Sequence, residues 1–560
     1  MKKVLKIGKR KKKKEEKEAK PPVKIEPLDE IYEVVEEYKI RGDYGKVVIA
    51  KDPTGKFKYF VVEEPLTQEE EKILKKVMDD VRFKLLKEPE EDIVKVALDR
   101  AMEMLKENVN RDKLAYYIDR DYLGYGPVHL MILDPNLEDI SCNGINTPIY
   151  VWHRKYESIE SNVIIQDHEY LRSFIRSIAA RCGKHISGAF PILDATLPEG
   201  YRFTATLDEV STKGSSFTIR KFRERPFTIV ELIRDNVIDS TLAAFFWFMI
   251  ENKRTFMIIG ATGSGKTTLL NALLTFIHPS MKVCTVEETR EITLPIKNWV
   301  PFVARKSYAI GEAVGEVGLF DLVKVCLRYR PDYIVVGEVR GEEAYVLFQA
   351  MQSGHGGTST MHAETLDGML NRLTSPPMNI PPHMIPTLNF VLHISRLRIE
   401  RGIVRRVIKV WEVRNADDFA EIAVWNPTSD TFTHRLWDSR TLLLVAEQIG
   451  VSPEEALREI MRRKRLLDYL SEQGIVEYNE IAKWIYAYYA DPEATLEKAK
   501  VPVETEKREK IEVKQPPIVA KKKVLRNDIQ SRLISGLKHI KREDLRKKII
   551  ERVIEKGETE

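Results

Sequence analysis

Cysteine is scarce. The chain of 560 residues carries four, Cys142, Cys182, Cys284 and Cys326, and no two are close enough for a CxxC pair. That spacing excludes a disulfide-stapled scaffold and a zinc module of clustered cysteines, and it fits a reducing compartment. Long apolar runs are missing too. The longest, Leu242–Ile250 (LAAFFWFMI), falls well short of the roughly 20 residues that span a bilayer. No apolar stretch follows the basic N-terminus, so a signal peptide is not expected. Net charge is only +5, an excess too small to call for nucleic acid on its own.

What is present supports folded cores under a heavily charged surface: 43% hydrophobic and 31% charged residues. The length allows about three or four domains. Residues 1–25 form a lysine-rich tail that cannot bury a core. It is expected to be disordered, with attraction to anionic lipid or nucleic acid as its available function. Residues 26–222 read as a mixed α+β N-terminal domain. Within it Leu66–Leu86 has a helical period, with Thr67 as a cap three residues ahead of Glu70. Ile149–Trp152, Tyr201–Leu207 and Ser216–Phe222 read as strands. Residues 223–228 are a connector. From 229 to 425 helix and strand signals alternate, which predicts a parallel α/β sheet. Residues 426–500 are helical in period. Residues 501–560 are a basic tail with an amphipathic stretch, where Leu525, Ile529, Leu533 and Leu537 recur at helical spacing.

Residues 255–269 read TFMIIGATGSGKTTL, an apolar strand, a glycine-rich loop and the start of a helix. Gly260, Gly265, Lys266 and Thr267 fit GxxxxGK[ST]. Phosphate chemistry needs such a loop, because small residues let backbone N–H groups curl around phosphate oxygens at a helix N-terminus. The cradle comprises Gly260, Ala261, Thr262, Gly263, Ser264, Gly265, Lys266, Thr267 and Thr268. Lys266 is placed to neutralise the β- and γ-phosphates of ATP, and the Thr267 hydroxyl to ligate Mg²⁺.

Three further clusters follow. Ile334–Gly341 (IVVGEVRG) is an apolar strand ending in Glu338, expected on a strand neighbouring the phosphate loop, where it holds the metal's water shell or polarises the attacking water. Val283–Glu291 (VCTVEETRE) ends a strand in Glu287 and Glu288, a pair suited to general base work on water. Gly354–Glu364 (GHGGTSTMHAE) sets His355 and His362 on either side of a short strand. With no third ligand nearby, zinc is disfavoured, and the pair reads as a sensor of the γ-phosphate.

In this order the four clusters resemble the secretion ATPases of type II secretion, type IV secretion, type IV pili and the archaellum. That family's Walker A loop, Asp box, Walker B strand and His box fall here on Gly260–Thr268, Glu287–Glu291, Ile334–Arg340 and Gly354–His362. The resemblance runs from about Leu123 to Val413. GYGPVHLMILDPNLEDISCNGINTPIYVWHRKY and RLTSPPMNIPP look like its archaeal branch. Glu288 departs from the family's usual aspartate. The resemblance implies an α/β fold, an N-terminal α+β domain followed by a RecA-like ATPase domain, assembled as a homo-hexameric ring with ATP at a seam. It also implies arginines that reach the phosphates from other domains; Arg202, Arg220, Arg328 and Arg330 are the candidates. The implied function is a cytoplasmic, membrane-peripheral motor that acts on a polytopic platform protein to drive pilin or archaellin subunits into a filament. The alternative is a nucleic-acid translocating motor. The basic tails lack the interleaved aromatics that single strands stack on, so nucleic acid is not expected as a partner.

Overall fold

The computed structural model describes residues 21–42, 44–85, 99, 110–222, 225–305, 315–399 and 402–500. The lysine run of the N-terminal tail, the first residues of the connector and the basic stretch from 501 lie outside the described residues.

Two sheets organise the chain. The first has ten strands: β1 (Val23–Ile25), β2 (Glu33–Arg41), β3 (Gly45–Lys51), β4 (Phe57–Glu63), β5 (Leu137–Cys142), β6 (Pro148–His153), β7 (Glu157–Ile165), β8 (Ile192–Thr196), β9 (Arg202–Thr206) and β10 (Ser216–Arg220). Their order is β2-β3-β4-β7-β6-β5-β10-β9-β8, with β1 paired to β7. The tail assigned to 1–25 therefore ends in a strand. Alternation sets the two faces. In β9 Phe203 and Ala205 are buried while Arg202 and Thr204 are not, and in β10 Phe217 and Ile219 are buried while Arg220 is exposed. The helix Gln68–Leu85 starts where its cap predicts. Thr67 Oγ1 accepts from the Glu70 N–H at 3.2 Å, and Glu70 Oε2 accepts from the Thr67 N–H at 2.7 Å.

The second sheet holds β11 (Phe256–Gly260), β12 (Val283–Glu287), β13 (Trp299–Val303), β14 (Tyr333–Val336), β15 (Gly356–His362), β16 (Phe390–Ile399), β17 (Gly402–Val413), β18 (Phe419–Asn426) and β19 (Thr431–His434). The order is β13-β12-β14-β15-β11-β16-β17-β18-β19. Pairing is parallel from β13 to β16 and antiparallel beyond. β11, β12 and β14 are buried at every residue, as expected of parallel strands covered on both faces. β15 lies between β14 and β11, so Glu338 follows a strand one place removed from the phosphate loop rather than its neighbour.

The apolar run noted above forms the core of helix Ser240–Glu251, which packs against helix Pro453–Glu472. Trp247 stacks on Phe276 with centroids 5.0 Å apart, and the Arg463 guanidinium lies 5.2 Å from the Trp247 ring. The C-terminal helices therefore share one core with the second sheet. That sheet also continues to His434, past the boundary expected at 425, because β18 and β19 pair as a hairpin. Among the described residues, no helix is long and apolar enough to cross a membrane.

Candidate active site

The phosphate loop follows β11 directly. A Cβ on Gly260 would run into the carbonyl oxygen of Ile394 on β16, so only glycine allows β11 and β16 to approach this closely. Gly263 and Gly265 have φ of 74° and 96°, the left-handed region that glycine adopts without steric cost. The helix Lys266–Leu274 begins there.

Lys266 is turned inward. Its Nζ donates to the Ala261 carbonyl at 2.9 Å and lies 3.2 Å from His362 Nδ1. Burial pushes the amine down to about 8. His362 ends β15 beside the loop. Its Nδ1 is 3.3 Å from Thr262 Oγ1 and its Nε2 is 3.1 Å from Glu338 Oε1. Burial and the Lys266 charge hold its pKa below the ordinary value. Glu338 Oε2 accepts from Arg340 at 2.6 Å, and Arg340 lies 3.7 Å from Glu288 Oε2. A line of charged groups thus runs from the loop through His362 and Glu338 to Arg340 and Glu288. Arg340, two residues past Glu338, carried no motif of its own.

The two strand-end glutamates of β12 part company. Glu287 is buried, and its Oε1 accepts from the N–H groups of Glu291 and Ile292, each at 2.9 Å. Its carboxyl shapes the following loop, and burial pushes it up to about 7. Glu288 turns toward Arg340 instead. A third acid, Glu291, meets the Thr267 hydroxyl; it is exposed to solvent, and the protein crowded around its carboxyl still raises its pKa. Glu291 closes the Asp box, but only Glu287 and Glu288 stand out in the sequence as bases, because the place of Glu291 depends on the turn that Glu287 holds.

Not every candidate joins this cluster. His355 precedes β15, with Nδ1 3.1 Å from the Ala350 carbonyl. The seven residues of β15 separate it from His362 by about 20 Å at strand rise. Two histidines at that spacing occupy opposite ends of an extended strand. Arg328 and Arg330 precede β14, at the strand end opposite Glu338. Arg202 and Arg220 do face the site. They are direct cross-strand partners on β9 and β10, tied to Asp194 and Asp139. Both reach Glu291 electrostatically, and Arg202 also feels Glu288.

The donor set fits a nucleotide with its divalent cation. Glu338 Oε1 and Ser264 Oγ are buried without a hydrogen bond, and Thr267 and Glu291 offer further oxygens beside them. For Glu338 Oε1 the approach of His362 is close but off hydrogen-bond geometry.

The chain matches the family described as Type II/IV secretion system protein over residues 124–398. It is 35% identical over 389 residues to an uncharacterized protein of Methanocaldococcus jannaschii, covering 68% of this chain and 70% of that one. A second protein of the same organism is 39% identical over 264 residues, covering 46% and 96%. The Type IV secretion system protein PtlH of Bordetella pertussis is 31% identical over 322 residues, covering 50% and 94%. With the phosphate loop, both acidic strand ends and the His362 strand inside the matched span, the chain belongs to the type II/IV secretion system protein family.

Proposed function

We propose that the chain is an ATP-hydrolysing motor that works at the inner face of a cell membrane as a homo-hexamer. It acts on a polytopic platform protein and so drives pilin-like or archaellin-like subunits into a filament. The observation that carries the catalytic part is the meeting of Lys266, His362 and Glu338 at the rim of the phosphate loop.

In this reading the loop amides and Lys266 hold the β- and γ-phosphates of the substrate. Thr267 and Glu338 hold Mg²⁺, which when bound supplies charge neutralisation at the phosphoryl oxygens. Glu291 takes the proton of the attacking water. It stands beside the Thr267 hydroxyl, and a carboxyl raised above its ordinary value is a stronger base than a free one. Glu287 sets the Glu291 loop, and Glu288 positions Arg340. His362 reads the γ-phosphate through its place between Lys266 and Glu338. Arg202 and Arg220 bring cationic charge from the N-terminal domain to the developing transition state.

Phosphate release by the purified full chain tests this. Wild type hydrolyses ATP, and Lys266→Ala abolishes turnover with an unchanged melting curve. Near wild-type turnover in that variant overturns the site. Sedimentation with ATP reports the ring, and co-sedimentation with membranes that contain the platform protein reports the partner.

A further inference from the structure

The N-terminal domain also touches the ATPase domain on the other flank of the phosphate loop, and there the charges do not balance. β11 has β15 on one side and β16 on the other. His362 and Glu338 approach the loop from the β15 side. From the β16 side comes the β16–β17 hairpin, in which Arg396 and Arg405 are direct cross-strand partners. Their side chains therefore leave the same face. Arg396 is satisfied by the N-terminal domain: it pairs with Glu157 and lies 5.6 Å from the Trp152 ring. Arg405 reaches the loop itself. Its Nε donates to the Gly263 carbonyl at 3.2 Å, and its Cδ sits 3.3 Å from where a Cβ on Gly265 would stand.

Opposite it is Arg154, in the β6–β7 turn between Trp152 and Glu157. Arg154 Nε is buried and makes no hydrogen bond. Burial depresses its guanidinium; Glu138 and Asp134 act the other way, and Arg405 is near enough to push it down again. Among the described residues neither Arg154 nor Arg405 forms an ion pair. Two like charges thus lie within electrostatic reach of each other at the domain junction, at the rim of a loop built to receive phosphates. Such an arrangement repels until an anion enters.

We propose that Arg154 and Arg405 form an anion clamp for the α- and β-phosphates of a bound nucleoside di- or triphosphate, joining the two domains of one chain whenever nucleotide is present. This rests on the nucleotide site proposed above. The γ-phosphate lies toward Thr267, Glu338 and His362, so the inner phosphates and nucleoside extend toward the hairpin. The clamp responds to ATP and ADP alike, whereas the Arg202–Arg220 side responds to the γ-phosphate. Product release, not hydrolysis, then opens the junction.

Calorimetric titration of the full chain with ADP tests the clamp. Arg154→Gln and Arg405→Gln each weaken ADP affinity roughly tenfold or more, the loss expected for one charge-assisted phosphate contact. The lysine variants at 154 and 405 keep the charge and retain part of the affinity. A role in folding alone would lower the melting temperature throughout. The clamp predicts the opposite: each glutamine variant melts at or above wild type without nucleotide, because the repulsion is gone, and gains less from ADP. Glutamine variants that bind ADP as wild type does, with the full thermal gain, or lysine variants that lose as much affinity as the glutamine ones, overturn the clamp while leaving the nucleotide site standing. A wild type that binds no ADP overturns both.

Discussion

Arg202 and Arg220 stand directly opposite one another on β9 and β10, so both guanidinium groups leave the same face of the N-terminal sheet toward Glu291. Each is already held by a carboxylate of its own sheet, Asp194 and Asp139. Their positions are set before any phosphate arrives, and a pre-oriented cation stabilises a transition state without reorganising.

Replacing either arginine with alanine is expected to lower kcat by on the order of 10²-fold, the scale of losing one preorganised charge contact. The melting temperature should stay near wild type, since Arg220 is 57% exposed and Arg202 34%. Steady-state phosphate release beside a thermal melt checks both halves. Unchanged kcat would remove the N-terminal sheet from the chemistry.

Glu338→Gln keeps the side-chain shape and loses the charge proposed to hold Mg²⁺. ATP binding should persist while turnover falls by about 10²-fold or more. Arg340, losing its partner at 2.6 Å, is left with Glu288. Loss of ATP binding in this variant would mean that the acid supports the loop rather than the reaction.

The pH dependence of stability should carry the mark of Glu287. Its folded pKa of about 7 lies above its ordinary value of 4.5, so between those limits the folded state binds more protons than the unfolded state. Stability therefore falls as pH rises through that window and is level above it. The shift corresponds to on the order of 3 kcal/mol. Glu291 is displaced in the same direction and adds to the slope. Glu287→Gln should flatten the profile between about pH 5 and 7, as read from denaturant melts across pH. A slope as steep as wild type would assign it to other groups.

The two histidines should separate cleanly. His362→Ala removes the group between Lys266 and Glu338, and turnover is expected to fall at least tenfold, about the lower end for a positioned acid–base or electrostatic group. His355→Ala, at the far end of β15, should leave turnover within about twofold. Equal losses in both would mean that the strand as a whole transmits the effect.

The parts of this fold legible in the sequence were those written in local pattern. The strand, loop and helix around Gly260–Thr267 depend on a few consecutive residues, and they fold as the spacing requires. The Thr67–Glu70 cap is equally local. The strands β2 to β4 escaped notice because a stretch such as GKVVIAK in β3 is buried almost throughout and shows little alternation. Sites that depend on pairing were the least legible. Arg405 meets the phosphate loop only because β17 pairs with β16, and β16 with β11. Glu291 reaches Thr267 only because Glu287 folds back on its own loop. Two histidines in one motif looked equivalent until the extended backbone set them at opposite ends.

Burial of Arg463 against Trp247, in contact with Glu251 and Glu459, makes the last described helices a buttress rather than an appendage. Whatever turns the ATPase sheet turns them with it. A rotation of that sheet is therefore carried through a shared core to the surface that these helices present.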